Sequence, residues 1–65
     1  MNSETVRIGD KLIYDDGRVG HVDIEATVIG LSPLSVVLAF ADRAEPTLVR
    51  RDDDAWWKFL SPAHK

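Results

Sequence analysis

Sixty-five residues without a single cysteine leave this chain dependent on one small hydrophobic core. A domain of this length buries only about 60% of the surface that its unfolded chain exposes, so each large apolar side chain matters. The hydrophobic fraction of 45% is ordinary for a globular protein and argues against disorder. The sequence therefore predicts one folded domain over residues 1–65, with residues 1–5 frayed and residues 61–65 as a tail.

The lack of cysteine also restricts chemistry and location. It excludes disulfides, thiolate nucleophiles and cysteine-ligated zinc. Secreted proteins of this size usually carry disulfides, and the N-terminus lacks the basic and apolar parts of a signal peptide. No apolar run approaches the roughly 18 residues that a membrane helix needs. We therefore expect a cytoplasmic protein that does not associate with membranes.

Short apolar or alternating segments, separated by turn residues, predict β-strands rather than long helices. The predicted strands cover residues 11–14, 21–29, 35–41 and 47–51, and a helical turn covers residues 55–60. A flat sheet of this size would leave its apolar face unprotected, whereas a curled one hides that face and shortens the exposed edges. The predicted fold is therefore all-β, a small SH3-like (Tudor/KOW-like) barrel of about five strands with a short C-terminal helical turn.

The second predicted strand alternates clearly at its start. The residues on one face are Val22 and Ile24, and those on the other are His21, Asp23 and Glu25. The alternation is lost further along this strand, which predicts a bulge or bend of the kind found in tightly curved strands.

Two acidic clusters are the first candidates for a metal site. Asp15 and Asp16 stand beside Gly17, but a calcium loop needs more oxygen ligands at set spacings, so a turn is favoured. Residues 52–54 are all Asp and precede the predicted helical turn, where Asp suits the N-cap position better than a cation site. We expect no metal ion.

Catalytic constellations are equally weak. His21 shares a predicted strand face with Asp23 and Glu25, an arrangement that suits acid–base chemistry but is more often an exposed polar face. The glycines at 17 and 20 are followed by neither the Lys-Ser/Thr pair nor the helix of a phosphate loop. The serines lack the context of a nucleophile. We therefore expect no catalytic residues, no cofactor and no enzymatic activity.

The adjacent pair Trp56 and Trp57 is the most informative motif. Neighbouring residues cannot both point into one core, so one indole is expected to fill the barrel end with Phe59 or Leu60. The other is expected to be partly exposed, either as a contact for another protein or as a cover for the barrel rim.

Arg50 and Arg51 end a predicted strand close to these tryptophans in sequence and face opposite sides of it. One interpretation is a surface ion pair with the aspartates at 52–54, which contributes less than about 1 kcal/mol. The other interpretation is contact with a partner.

The segment IGDKLIYDDGRVGHVDIEATVI, from Ile8 to Ile29, resembles the opening of the RNA-polymerase-interacting domains of CarD-type transcription regulators and of the transcription-repair coupling factor. These domains are Tudor- or SH3-like barrels related to KOW domains. The matching features are Gly9-Asp10, the apolar strand 12–14, glycines 17 and 20, the strand leading to residues 28–29, the apolar strand 36–40 and the strand 47–50.

This resemblance implies a partner and contact residues. It implies binding to the β subunit of RNA polymerase by addition of a strand to an exposed sheet edge. Arg50 is the implied contact residue. Thr27 lies where CarD-type proteins place a basic contact residue, and the helical DNA-binding domain of those regulators has no counterpart in the sequence.

The sequence therefore favours a non-enzymatic protein-interaction module, with the RNA polymerase β subunit as the partner implied by the resemblance. Its predicted partner-binding residues are Thr27, Arg50, Arg51, Trp56 and Trp57. One alternative is a nucleic-acid-binding barrel of KOW or Sm type, although the net charge of −3 makes binding of free nucleic acid unexpected. Another is a small homo-oligomeric accessory protein, because short chains often gain core by association.

Overall fold

A computed structural model describes residues 4–20 and 22–63. Its elements in chain order are β1 (Lys11–Tyr14), β2 (Ile24–Leu31), β3 (Ser35–Phe40), β4 (Thr47–Arg50), α1 (Asp54–Trp57) and β5 (Leu60–Pro62). All strand pairs are antiparallel, and the order across the sheet is β4-β3-β2-β1-β5. The predicted all-β class, the number of about five strands and a short helical turn near the C-terminus are confirmed, but the helix spans residues 54–57 rather than 55–60 because Leu60 belongs to β5.

The two ends of the sheet are β4 and β5. Among the described residues no ladder joins these two strands, so closure into a barrel is not seen there. The core lies against one face of the sheet. Strict alternation in β3 directs Val36, Leu38 and Phe40 toward this face, and each is at most 3% exposed. The buried core consists of Val6, Leu12, Ala26, Val28, Val36, Leu38, Phe40, Val49, Trp57 and Leu60.

The last strand corrects the prediction of a tail. Ser61 and Pro62 belong to β5, which pairs with β1 through Tyr14 and Leu60 at one end. Leu60 is 2% exposed and anchors the strand in the core. Proline is tolerated here because β5 lies at a sheet edge, where a missing N–H need not break a ladder. Residues 64–65 of the predicted tail, including His64, lie outside the described residues.

The start of β2 also differs from the prediction. The strand begins at Ile24 rather than at residue 21, because Asp23 has a φ of 55°, in the left-handed region that interrupts an extended chain. Val22 is therefore 51% exposed and does not share a buried face with Ile24. Of the residues predicted for the other face, His21 lies outside the described residues.

The predicted bulge in β2 is confirmed. The register with β3 shifts between Val28 and Gly30, so that Ile29 is the extra residue on the bulged strand. Beyond the bulge, Gly30 lies opposite Val37, and a Cβ atom added at Gly30 would lie 3.3 Å from the Val37 Cβ.

The predicted turn after β1 is confirmed as well. The backbone N–H of Gly17 donates to the Asp15 carboxylate at 2.9 Å, and that of Arg18 donates to Asp16 at 3.0 Å. Gly17 adopts a φ of 82°, which glycine tolerates at little cost.

The predicted aspartate cap of α1 takes a different form. Asp53 occupies the N-cap position, but its side chain makes no capping hydrogen bond. The backbone carbonyl of Asp53 instead accepts the N–H groups of Trp56 and Trp57, so the turn closes through the main chain. Within the described residues, no helix is long and apolar enough to cross a membrane.

Candidate functional site

Four aromatic rings gather where the end of β1 meets α1. Tyr14 is the last residue of β1, and its ring centroid lies 5.2 Å from that of Trp56 and 5.9 Å from those of Phe40 and Phe59. Phe40, at the end of β3, is buried and forms the floor, whereas the other three rings are half-buried. Inward alternation places Tyr14 and Phe40 on the same face of the sheet, and α1 then covers that face.

A cleft of about 270 Å³ opens beside these rings. We call it the aromatic cleft, and its lining residues are Tyr14, Arg18, Ala55, Trp56 and Phe59. Its walls are the loop after β1, which carries Arg18, and the exposed side of α1. Hydrogen bonds from the loop backbone to the Asp15 and Asp16 carboxylates fix the conformation of this loop, and the loop positions Arg18 at the cleft.

The two tryptophans divide as the sequence analysis predicted. Trp57 is 3% exposed in the core, and its indole N–H donates to the carbonyl oxygen of Arg50 at 2.9 Å. Trp56 is half-buried: its ring packs on those of Tyr14 and Phe40, with centroids 5.2 and 5.9 Å away, and it also lines the cleft. Its indole N–H donates to no acceptor among the described residues.

A compact polar network borders the rings. The Asp16 carboxylate accepts the phenol O–H of Tyr14 at 2.9 Å and both the Nε and an Nη of Arg18 at 3.0 Å. The Asp16 side chain is only 5% exposed, whereas that of Arg18 is 71% exposed. Arg18 therefore binds Asp16 through one edge of its guanidinium, and the rest of the guanidinium is exposed to solvent.

This network shifts two pKa values. Burial tends to raise the pKa of Asp16, but the hydrogen bonds from the Arg18 backbone, the Tyr14 phenol and the Arg18 guanidinium outweigh it and hold that pKa below its ordinary value. The pKa of Tyr14 is raised, first by burial and then by its hydrogen bond to the Asp16 carboxylate. At neutral pH the arrangement is therefore a charged Asp16–Arg18 pair with a neutral phenol.

The remaining predicted site residues lie elsewhere. Thr27 is in the middle of the sheet, paired with Lys11 and Ala39, and it alternates with the buried Ala26 and Val28. It therefore faces outward, on the opposite side of the sheet from the aromatic cleft.

The two arginines have separate partners. Arg50 is exposed and binds the Asp52 carboxylate through two nitrogens, at 3.1 and 3.0 Å, as one interpretation of the sequence predicted. Arg51 donates from Nε to the Ser32 carbonyl at 2.8 Å and so fastens β4 to the turn between β2 and β3. The predicted set thus does not form one surface.

Burial corrects the assignment of Trp57 as a partner-binding residue. Its ring is enclosed in the core, and its only polar atom is already bonded to Arg50. Trp56 is the indole that a partner can reach. The sequence analysis missed Tyr14, Arg18 and Phe59, because only the folding of β1 against α1 brings them together.

A larger depression of about 440 Å³ lies at the opposite end of β1. Its lining residues are Thr5, Gly9, Asp10, Lys11, Leu12, Pro62 and Ala63, none of which is aromatic. It offers no ring on which a side chain of a partner could stack, so the aromatic cleft is the stronger candidate site despite its smaller volume.

The described part of the chain contains no cluster of side chains arranged as a metal site. Within residues 4–20 and 22–63, no three His, Cys, Asp or Glu side chains are placed to hold an ion. The Asp15–Gly17 turn uses its carboxylates on backbone N–H groups, the Tyr14 phenol and Arg18 instead.

Comparison of the chain with models of protein families, with curated proteins and with solved structures finds no match.

Proposed function

We propose that this chain is a non-enzymatic module that binds another protein through the aromatic cleft. The single observation that carries the proposal is Trp56, a half-exposed indole whose N–H lacks a protein acceptor among the described residues. Its neighbour Trp57 is buried and satisfied, so the same short helix supplies one structural and one available tryptophan.

The cleft has the composition of a binding hot spot. Tryptophan, tyrosine and arginine are the residue types that most often dominate the affinity of protein interfaces, and Trp56, Tyr14 and Arg18 line one cleft. Each ring is already held by its neighbours, so little side-chain entropy remains to be lost on binding.

The resemblance to RNA-polymerase-interacting domains supports the polymerase β subunit as the partner. The strand addition that this resemblance implies needs an open sheet edge, and β4 offers one because it pairs with β3 alone among the described residues. Its Leu48 is 63% exposed and its Arg50 is exposed, so an added strand would meet both side chains.

Binding of nucleic acid is less well supported. Arg18 and Arg50 are the exposed guanidinium groups beside the cleft and at the β4 edge, and each is paired with an aspartate. Phosphate binding needs clustered, uncompensated positive charge, which a chain of net charge −3 with these pairs does not offer.

Affinity capture from a bacterial lysate tests the proposed cleft. The tagged chain is compared with Trp56→Ala and with Leu34→Ala, which removes a 75% exposed side chain in the turn between β2 and β3. Circular dichroism confirms that each variant is folded. A partner retained by the wild type and by Leu34→Ala but lost by Trp56→Ala supports the cleft, whereas equal capture by all three places the contact elsewhere.

The proposed polymerase partner has its own test. Purified RNA polymerase is titrated with the wild type and with Arg50→Glu, which reverses the charge at the β4 edge. Saturable binding that weakens in the variant supports the partner and the edge together. No binding at roughly micromolar concentrations, where a specific contact is expected to be populated, removes the polymerase as the partner.

A further inference from the structure

We propose that the aromatic cleft binds an extended, proline-rich segment of a partner in the polyproline II conformation. This inference rests on the proposed function, since it names the chemical class of the ligand at the same site. It follows from the hydrogen-bonding groups that the cleft leaves available, from its size and from the charges at its border.

The cleft offers donors. The indole N–H of Trp56 has no acceptor in the described part of the chain, and the exposed Arg18 guanidinium binds Asp16 through Nε and one Nη only. An indole N–H and a guanidinium can only donate. A ligand that fits must therefore present acceptors to both.

The cleft offers few acceptors in return. Its nearest carboxylate, Asp16, already accepts the Tyr14 phenol, the Arg18 backbone N–H and the Arg18 side chain. The other lining side chains, Ala55 and Phe59, are apolar. A ligand rich in its own N–H donors would lose their hydration without replacement, at a cost for each donor that is buried.

A polyproline II segment matches this inventory. Its backbone carbonyls make no internal hydrogen bonds, and each proline removes one N–H donor. Its rings are apolar and can pack on tyrosine and tryptophan faces, and its stiffness limits the entropy lost on binding.

The geometry of the rings suits a ligand that crosses the cleft rather than one enclosed by it. The volume of about 270 Å³ is just below the roughly 300–1,000 Å³ typical of small-molecule pockets. The Tyr14 ring is inclined by 43° to Trp56 and by 78° to Phe59, so the lining is ridged. Such ridges can receive one or two side chains of a longer segment.

The charges at the border disfavour the other ligands of aromatic clefts. A methylated lysine would bring a cation beside the guanidinium of Arg18, and the carboxylate that could compensate it is already paired. A phosphorylated side chain would meet the exposed guanidinium of Arg18, but it would also bring its negative charge close to the Asp16 carboxylate that this guanidinium already binds. Lys58 adds a second cation at this border, since its Nζ lies 5.3 Å from the centre of the Phe59 ring. The cleft is therefore rich in donors and is best matched by a ligand that presents acceptors, such as the carbonyl groups of a polyproline II segment.

Nuclear magnetic resonance of the full ¹⁵N-labelled chain tests this inference directly. The chain has two tryptophans and hence two indole N–H signals, of which that of the buried Trp57 serves as the internal reference. The probe is an acetylated and amidated oligoproline peptide, and the control is a glycine–serine peptide of the same length. We expect oligoproline to shift the Trp56 signal saturably and the control peptide to leave it unchanged.

Two variants sharpen the result. Trp56→Phe keeps an aromatic face but removes the donor and its indole signal, so binding to this variant is followed through the backbone N–H signal of residue 56. We expect it to weaken oligoproline binding about tenfold, the effect of losing one well-formed hydrogen bond. Leu34→Ala, in the turn between β2 and β3, is expected to bind as the wild type does. Unchanged affinity of Trp56→Phe would overturn the role of the donor.

The outcomes separate this inference from the proposed function. If oligoproline at roughly millimolar concentration leaves the Trp56 signal in place, the ligand class is wrong. The same holds if a trimethyl-lysine or phosphoserine peptide shifts that signal instead. The proposed function survives either result provided that capture of a partner still depends on Trp56, and it fails only if that dependence is also missing.

Discussion

The indole N–H of Trp57 donates to the backbone carbonyl of Arg50 at 2.9 Å, and this bond fixes α1 against the end of β4. Successive residues in a helix point about 100° apart, so burying Trp57 turns Trp56 away from the core. The orientation of the available indole is therefore set by its buried neighbour.

Replacing Trp57 by Phe should destabilise the fold. The variant loses the indole hydrogen bond and leaves a void in the core, while the Arg50 carbonyl keeps the N–H of Asp53, for a cost of about 2–3 kcal/mol. Urea unfolding followed by circular dichroism measures it. Trp56→Phe is the matched control, and we expect a change below about 1 kcal/mol because that indole bonds to no protein group among the described residues. Equal losses in the two variants would contradict the division of roles.

Truncation of a core side chain in β3 should strongly destabilise the fold. Leu38 is 0% exposed, so Leu38→Ala is expected to cost about 2–5 kcal/mol, a large part of the stability of a domain this small. Leu48→Ala makes the same chemical change at a residue that is 63% exposed, and it should alter the free energy of unfolding by less than about 0.5 kcal/mol. Thermal unfolding of both variants provides the comparison.

The lowered pKa of Asp16 predicts a dependence of stability on pH. Because this carboxyl holds its proton less tightly in the folded state than in the unfolded state, its contribution is complete above the unfolded pKa, near 4. It is lost as the pH falls through the lower folded pKa. Asp16→Asn should be less stable than the wild type at pH 7, and the difference should shrink on acidification. Urea titrations at a series of pH values measure this, and a constant difference would exclude the linkage.

The ionisation of Tyr14 can be measured directly to probe the same network, because Tyr14 is the only tyrosine in the chain. Its raised pKa means that the phenolate appears at a higher pH than in a free tyrosine. The neutral phenol stabilises the fold below the unfolded pKa, and that contribution is lost as the pH rises through the folded pKa. Ultraviolet absorbance during alkaline titration follows the ionisation. In Asp16→Asn the midpoint should move down toward the ordinary value.

The turn that delivers Arg18 should depend on glycine at position 17. A Cβ atom there would meet no other atom within 4 Å, but the φ of 82° is costly for alanine. Gly17→Ala should therefore destabilise the fold by about 1 kcal/mol through the backbone alone. Gly17→Asn, a residue that tolerates this conformation, should recover part of the loss in thermal unfolding. No difference between the variants would show that the turn relaxes freely.

The sequence predicts the strands well where alternation and turn residues coincide. The segment Lys11–Tyr14, between a Gly-Asp pair and an Asp-Asp-Gly turn, has the predicted bounds. The prediction fails at residues 21–23, where polar and apolar residues alternate as in a strand but Asp23 adopts a left-handed conformation. It also fails at β5, whose three residues are too few to show a period and include a proline.

The site is only partly predictable for a different reason. The adjacency of Trp56 and Trp57 is enough to predict that one is buried and one is exposed. Which one is buried depends on the direction in which α1 leaves β4, and this is a tertiary property. The approach of Arg18 to the rings depends likewise on the loop after β1, whose path no local pattern specifies.

The position of β1 between β2 and β5 has a consequence for how the chain is made. During synthesis β2, β3 and β4 can pair with their sequence neighbours as they emerge, but one edge of β1 stays open until residues 60–62 have been added. Until then, the nascent chain exposes the strand edge formed by Leu12, Ile13 and Tyr14. We therefore expect ribosome-bound intermediates to be the most aggregation-prone form of this protein.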